Sequence, residues 1–256
     1  MDRFRIICED LGVPLAEDKT IGPSSILTFL GLEIDTLEMV IRIPQCKLSE
    51  VKEKLESALG RTKITLRDLQ SLVGSLNLCA RAIPSVRAFN RRFCDAMCGI
   101  NRPSHYIRVS SGMKADIKIW LSFLENFNGT CSFGKNIWLL NSQINLFTDS
   151  AGNPDLGCGA FFAGHWTYYQ WPDHWHKPDI MADITFLELV PIVLSIFLFR
   201  QDLSNKQILF HTDNKALACI LNEKSSKSRR VVGLIRPLVL YTMLYTKQFK
   251  AIHIYD

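Results

Sequence analysis

Three carboxylates carry the first chemical hint in this sequence. The stretch "INLFTDSAGN", residues 144 to 153, is an apolar run that stops on Asp149 and then turns on small residues. "ILFHTDN" repeats the phrase: an apolar run, then Thr212, then Asp213. Between the two, Glu188 stands in "TFLELVPIVLSIFLF", among residues that should face a core. Each acid has an ordinary explanation. Asp149 can accept hydrogen bonds from the turn that follows it, Glu188 can sit in a first helical turn favoured by the helix dipole, and Asp213 can cap the helix it precedes. Jointly these explanations account neither for the repeated strand-then-Thr-Asp phrase nor for an acid on so apolar a helix, where its charge is costly unless compensated. In an open α/β sheet the ends of the strands are where sites form. Acids gathered there repel one another and raise each other's pKa unless a cation neutralises them. Oxygen-only ligands of this kind suit Mg²⁺ or Mn²⁺.

Elements of two kinds must position these groups. From residue 136 the pattern reads strand, strand, strand, helix, strand, helix, helix, strand. The strands "INLFTD", "GCGAFFA", "HWTYYQW", "ILFHTD" and "QFKAIHI" are rich in aromatic and branched residues. The helices fall at 185 to 200, 214 to 222 and about 229 to 246, and Pro191 and Pro237 are expected to distort the first and third. Hairpins early and helical crossovers later predict an α/β fold: a mixed five-stranded sheet with flanking helices, antiparallel at first and then parallel. Upstream, residues 1 to 45 read as short strands and turns, with a hairpin around "DTLE". Residues 47 to 128 read as a helical layer: Leu48, Val51, Leu55 and Leu59 recur at helical intervals, and Thr65 with Asp68 opens a second helix in a near capping box.

Composition narrows the class. The longest apolar run, residues 184 to 199, contains Glu188 and Pro191 and is too short and too polar to span a bilayer, and the N-terminus lacks the succession of a signal peptide. The eight cysteines show no zinc spacing and suit a reduced intracellular setting. A net charge of +5 is modest for 256 residues, so the position of the bases matters more than their number. "RAIPSVRAFNRRF" carries Arg81, Arg87, Arg91 and Arg92, and "KSSKSRR" carries Lys224, Lys227, Arg229 and Arg230. Bases interleaved with apolar residues suit a phosphate backbone, and equally a solvated helix face.

At the three acids the chain resembles the ribonuclease H domain of retroelements, whose first three carboxylate motifs are matched in order and spacing by "FTDSAG", "FLEL" and "HTDNKAL". Upstream, "LGVPLAEDKTIGP", "FLGLEIDT" and "LRDLQSLVGSLNLCARAIP" are similar to the end of the palm and the thumb of reverse transcriptases, most closely those of DIRS-like tyrosine-recombinase elements, and "DIKIWLSFLENFNG" looks like their connecting segment. The resemblance implies a palm-hairpin remnant at 1–45, a helical thumb and connection at 46–135, and a ribonuclease H-like domain at 136–256. It implies hydrolysis of the RNA strand of an RNA/DNA hybrid, with Asp149, Glu188 and Asp213 as catalytic and metal-binding acids for Mg²⁺ or Mn²⁺. Asp149 would bridge two ions, the other acids completing the leaving-group site. Ser150, Gly152, Asn214, Lys227, Arg229, Arg230, Arg91 and Arg92 are the implied contacts to the hybrid, or to another duplex, read by groove shape and 2′-hydroxyls.

The sequence departs from the family pattern in two places. No Asp-Asp pair of the polymerase hairpin occurs in it, so polymerase activity is not expected, and Lys19, in a loop like the family's, has no polymerase centre to assist. The family's last helix, with a fourth carboxylate, would follow "FKAIHI"; Asp256 comes too soon after that strand to serve, and His253 reads as a strand residue. Impaired turnover is therefore the expectation, with a non-catalytic nucleic-acid-binding retroelement remnant as the alternative. A sugar kinase of the same fold would need glycine-rich phosphate loops, and the sequence has none.

Overall fold

A computed structural model describes residues 2–16, 21–129, 131–133, 138–204, 206–245 and 248–254. Lys19 and Asp256 lie outside the described residues. In chain order the elements begin with helix α1 (Asp2–Asp10) and strands β1 (Ile26–Phe29), β2 (Leu32–Asp35) and β3 (Val40–Arg42). Next come α2 (Gln45–Gly60), β4 (Lys63–Thr65), α3 (Leu66–Ala82), a 3-10 turn at Pro84–Phe89, α4 (Arg91–Met97), β5 (Tyr106–Arg108) and α5 (Ser111–Asn126). Short strands β6 (Cys131–Ser132) and β7 (Leu139–Leu140) lead into β8 (Leu146–Ser150), β9 (Gly157–Phe162) and β10 (His165–Gln170). A 3-10 turn (Asp173–Trp175), α6 (Pro178–Met181), α7 (Ile184–Leu198), β11 (Gln207–Thr212), α8 (Lys215–Glu223), α9 (Arg229–Leu244) and β12 (Gln248–His253) complete the order.

The helical layer follows from its spacing. Leu48, Val51, Leu55 and Ala58 bury one face of α2, and α3 starts where Thr65 Oγ1 accepts the Asp68 N–H at 3.1 Å. The first 45 residues differ from the expected strands and turns. The hairpin around "DTLE" forms between β2 and β3, but "DRFRIICED" coils into α1, which exposes Phe4, Ile6 and Ile7 and buries Cys8. A second unforeseen feature is the pairing of β4 with β5, which ties the start of α3 to a segment some forty residues downstream. Neither strand has more than three residues, so neither carries a period long enough to read.

All five expected strands form, and the antiparallel-then-parallel order holds, but they divide between two three-stranded sheets. β8, β9 and β10 make an antiparallel meander, whereas β11 lies parallel between β12 and the short β7. The cause is local. Leu139 and Leu140 pair with Ile208 and Leu209, and Asn141 donates to the Leu209 carbonyl at 3.2 Å, so that edge of β11 is taken by β7 and not by β8. Helix α7 packs on β8 and β9 and against α9, with Leu187, Leu189 and Ile196 inside the core. Burying each such side chain contributes about 2 kcal/mol. Both α7 and α9 continue past their prolines, Pro191 and Pro237.

One hydrophobic core runs through the helical layer and the C-terminal sheets. At their junction α9 packs on the Pro84–Phe89 turn. There Asp116, fully buried on α5, receives Arg92 at 3.0 Å and Arg236 of α9 on the same oxygen, and its other oxygen has no hydrogen-bond partner. The Arg236 guanidinium lies 4.8 Å over the Phe89 ring.

On the opposite side of the meander from α7, register lines up Phe147, Phe161 and Trp166 in one row across β8, β9 and β10. All three rings are exposed, Trp166 the most at 77%. Asp149, Gly159 and Tyr168 form the next row on the same face, because alternate residues of a strand share a side.

Candidate active site at the strand ends

The structure tests the ordinary explanation of each acid separately. Asp149, near the end of β8, is exposed, and its Oδ1 accepts the Ser150 N–H at 2.8 Å, so it does serve its own turn. Glu188 is not a first-turn residue. Helix α7 is capped by Asp183, whose carboxylate accepts the Phe186 N–H at 3.1 Å, and its first turn holds no acid. Asp213 does not cap α8 either. That role belongs to Asn214, whose Oδ1 accepts the Leu217 N–H at 3.0 Å. Asp213 is held through its backbone instead: its carbonyl meets His253 Nε2 at 2.9 Å, with His253 on β12 as the sequence predicts.

The electrostatics bring the three together. Burial holds the Glu188 carboxyl above the usual carboxylate range, the Asp213 charge adds to this, the Asn214 amide opposes it, and the Asp149 charge raises it further. No cation is among the groups that shift it. A half-buried carboxylate whose charged neighbours are two more carboxylates is a donor set that suits a hard divalent cation. Among the described residues, however, no group of three His, Cys, Asp or Glu side chains is close enough to hold a metal ion. The acids share a field without closing into a coordination shell.

The turn after Asp149 is pinned from below. Trp171, 2% exposed, donates its indole N–H to the Ala151 carbonyl at 2.8 Å and stacks on Trp175, which in turn meets Phe186 of α7. Sequence reasoning missed this residue; its one signal was a Trp directly before Pro172, at the close of a strand. Ser150 is half-buried at the end of β8. At Gly152 a Cβ would meet nothing within 4 Å, so internal packing does not demand glycine there. Gly157 is different: a Cβ would collide with the Tyr169 carbonyl and lie 2.8 Å from Gln170 Cα, so close approach of β9 to β10 requires it.

The arginines expected to meet nucleic acid divide into held and open ones. Arg230 pairs with Asp179 at 2.8 Å and Asp183 at 3.5 Å and lies over Phe186, which binds the start of α9 to the start of α7. Arg92 is engaged with Asp116 and the Gly112 carbonyl, and Arg91 with Asp95 at 2.8 Å. Lys227 and Arg229 are exposed. Lys224 closes α8 in the left-handed conformation with its ammonium 4.9 Å over Phe249. Among the described residues, no helix is long and apolar enough to cross a membrane.

No protein-family model matches the chain, and no curated protein matches it. Among solved structures it is similar to a foamy viral protease-reverse transcriptase in complex with an RNA/DNA hybrid, at 13% identity and a TM-score of 0.37. That match covers 100% of this chain and 34% of the other, so this chain spans about a third of its length.

Proposed function

We propose that this chain hydrolyses the RNA strand of RNA/DNA hybrids as the ribonuclease H part of a retroelement reverse transcriptase. The observation that carries the reading is the placement of Asp149 and Asp213 at strand ends, close enough to Glu188 for both charges to raise its pKa. The motif resemblance around the same three residues supports it. Asp149, Glu188 and Asp213 would hold Mg²⁺ or Mn²⁺, which when bound supplies an activated water and stabilises the leaving oxygen. Asn214 steadies Glu188, and His253 fixes the backbone of Asp213. The three domains, 1–45, 46–135 and 136–256, are proposed with the same roles as palm remnant, thumb with connection, and nuclease. Incubation with end-labelled hybrid and Mg²⁺ or Mn²⁺ should give metal-dependent cleavage of the RNA strand that Asp149→Asn removes. Cleavage that survives Asp149→Asn, or needs no metal, refutes the assignment.

A second reading has its own observation. The acids stand apart rather than at coordination distance, which suits a remnant that holds a duplex without cutting it. Hybrid binding at nanomolar to micromolar concentration with no cleavage in either metal selects that reading.

A further inference from the structure

A cavity of about 400 Å³ opens where α3, the Pro84–Phe89 turn and α4 meet the end of α8. Arg81, Arg87 and Arg91 line it together with Asn77, and Glu223 is the one carboxylate in its wall. The polarity of the wall is set from the core outward. An indole N–H can only donate. Trp120 Nε1, fully buried, donates to Asn90 Oδ1 at 3.0 Å, and Asn90 Nδ2 then donates to Asn77 Oδ1 at 3.0 Å. The relay leaves Asn77, which is exposed, with its amide N–H₂ as the group to offer. Guanidiniums also only donate. Apart from Glu223, the charged and amide side chains of the wall thus present donors.

The charges agree. Arg91 is balanced by Asp95, and Arg87 meets Glu223 at 3.2 Å with both side chains well exposed, a pair that holds weakly in water. Arg81 is exposed and has no ion pair among the described residues. An anion entering the cavity can therefore draw on Arg81 fully and on Arg87 by displacing Glu223. The volume is that of a small-ligand site, and arginine forks match phosphate oxygens two at a time.

We propose that this cavity binds the phosphate monoester of a nucleotide, carried either by a free mononucleotide or by the 5′ end of a strand. The inference goes beyond the nuclease reading and does not rest on it.

Binding is measured on the whole chain in EDTA, so that the metal site plays no part, using inorganic phosphate, uridine 5′-monophosphate, and one hexanucleotide with a 5′ phosphate or a 5′ hydroxyl. The phosphorylated probes should bind, and Arg81→Gln and Asn77→Asp should each weaken binding at least tenfold while the unliganded melting temperature stays unchanged. Asn77→Asp keeps the acceptor that Asn90 needs and replaces a donor with a negative oxygen. Mononucleotide binding as tight as that of the phosphorylated hexamer identifies a free nucleotide; binding of the hexamer alone identifies a strand end. Equal binding of the 5′-hydroxyl hexamer, failure of every phosphorylated probe, or wild-type affinity in both variants overturns the proposal.

Discussion

Replacing Asp116 by Asn tests whether the helical layer and the C-terminal sheets are joined by charge or merely by contact. Asp116 is fully buried, and one of its oxygens receives both Arg92 and Arg236. The two arginines differ in their escape routes. Arg92, 45% exposed at its side chain, can turn to water and keeps the Gly112 carbonyl, whereas Arg236 is 13% exposed and stays against Phe89. Removing one partner of a buried pair costs about 3–5 kcal/mol because the other charge is left uncompensated. Asn retains an acceptor and the ring contact still favours Arg236, so the lower end of that range, about 3 kcal/mol, is expected. In a chain of this size that lowers the melting temperature by roughly 6–12 °C. Urea unfolding should show a lower midpoint with an unchanged slope. Arg92→Gln should cost about 1 kcal/mol or less, as an exposed partner does. The double variant Asp116→Leu with Arg236→Met should recover most of the loss, since apolar replacements of buried pairs are often neutral. A loss under about 1 kcal/mol in Asp116→Asn, or no recovery in the double variant, refutes the reasoning.

Three further outcomes follow from local geometry. Gly157→Ala should destabilise the meander by about 3 kcal/mol, seen in chemical unfolding, because the new methyl would meet backbone of β10 that cannot swing aside. Trp171→Phe removes the bond to the Ala151 carbonyl while keeping the ring stack, and should cost about 1–2 kcal/mol in chemical unfolding by freeing the turn after Asp149. Lys224 is pushed down to about 8 by burial, then by Arg87 and Lys250, against the pull of Glu223. Between pH 8 and its ordinary 10.5 the unfolded chain keeps a proton that the folded chain has lost, so stability rises with pH over that window and is flat outside it. Relative to Lys224→Met, the wild type should gain about 2–3 kcal/mol from pH 7 to 10.5 in parallel unfolding curves; a constant difference counts against the burial of this lysine.

The sequence made local order readable and long-range pairing unreadable. Helix α3 was legible because its apolar spacing, its Thr65 cap and its Asp68 all lie within one turn of where they act. The strands of the two sheets were legible for the same reason. Their division was not, because it depends on which strand lies along the edge of β11, and β7 contributes only two residues there. Helix α1 was hidden by the Gly and Pro that follow it. At the site, the types and order of the three acids were visible from the start. That Asn214 and not Asp213 caps α8 was visible only in which neighbour turns its side chain onto the helix. The arginines show the sharpest limit. Their charge is plain in the sequence, but the carboxylates that claim Arg92 and Arg230 lie 24 and 51 positions away from them.

The exposed row across the meander gives the chain a built-in optical reporter. Trp120 and Trp171 are sealed in the core, whereas Trp166 stands 77% in water beside Phe161, one row from Asp149 on the same face. Its emission should lie to the red of the buried indoles, and an aqueous quencher should reach it more readily than the half-buried Trp138 and Trp175. Quenching of that side chain can thus report on events at the face that carries Asp149.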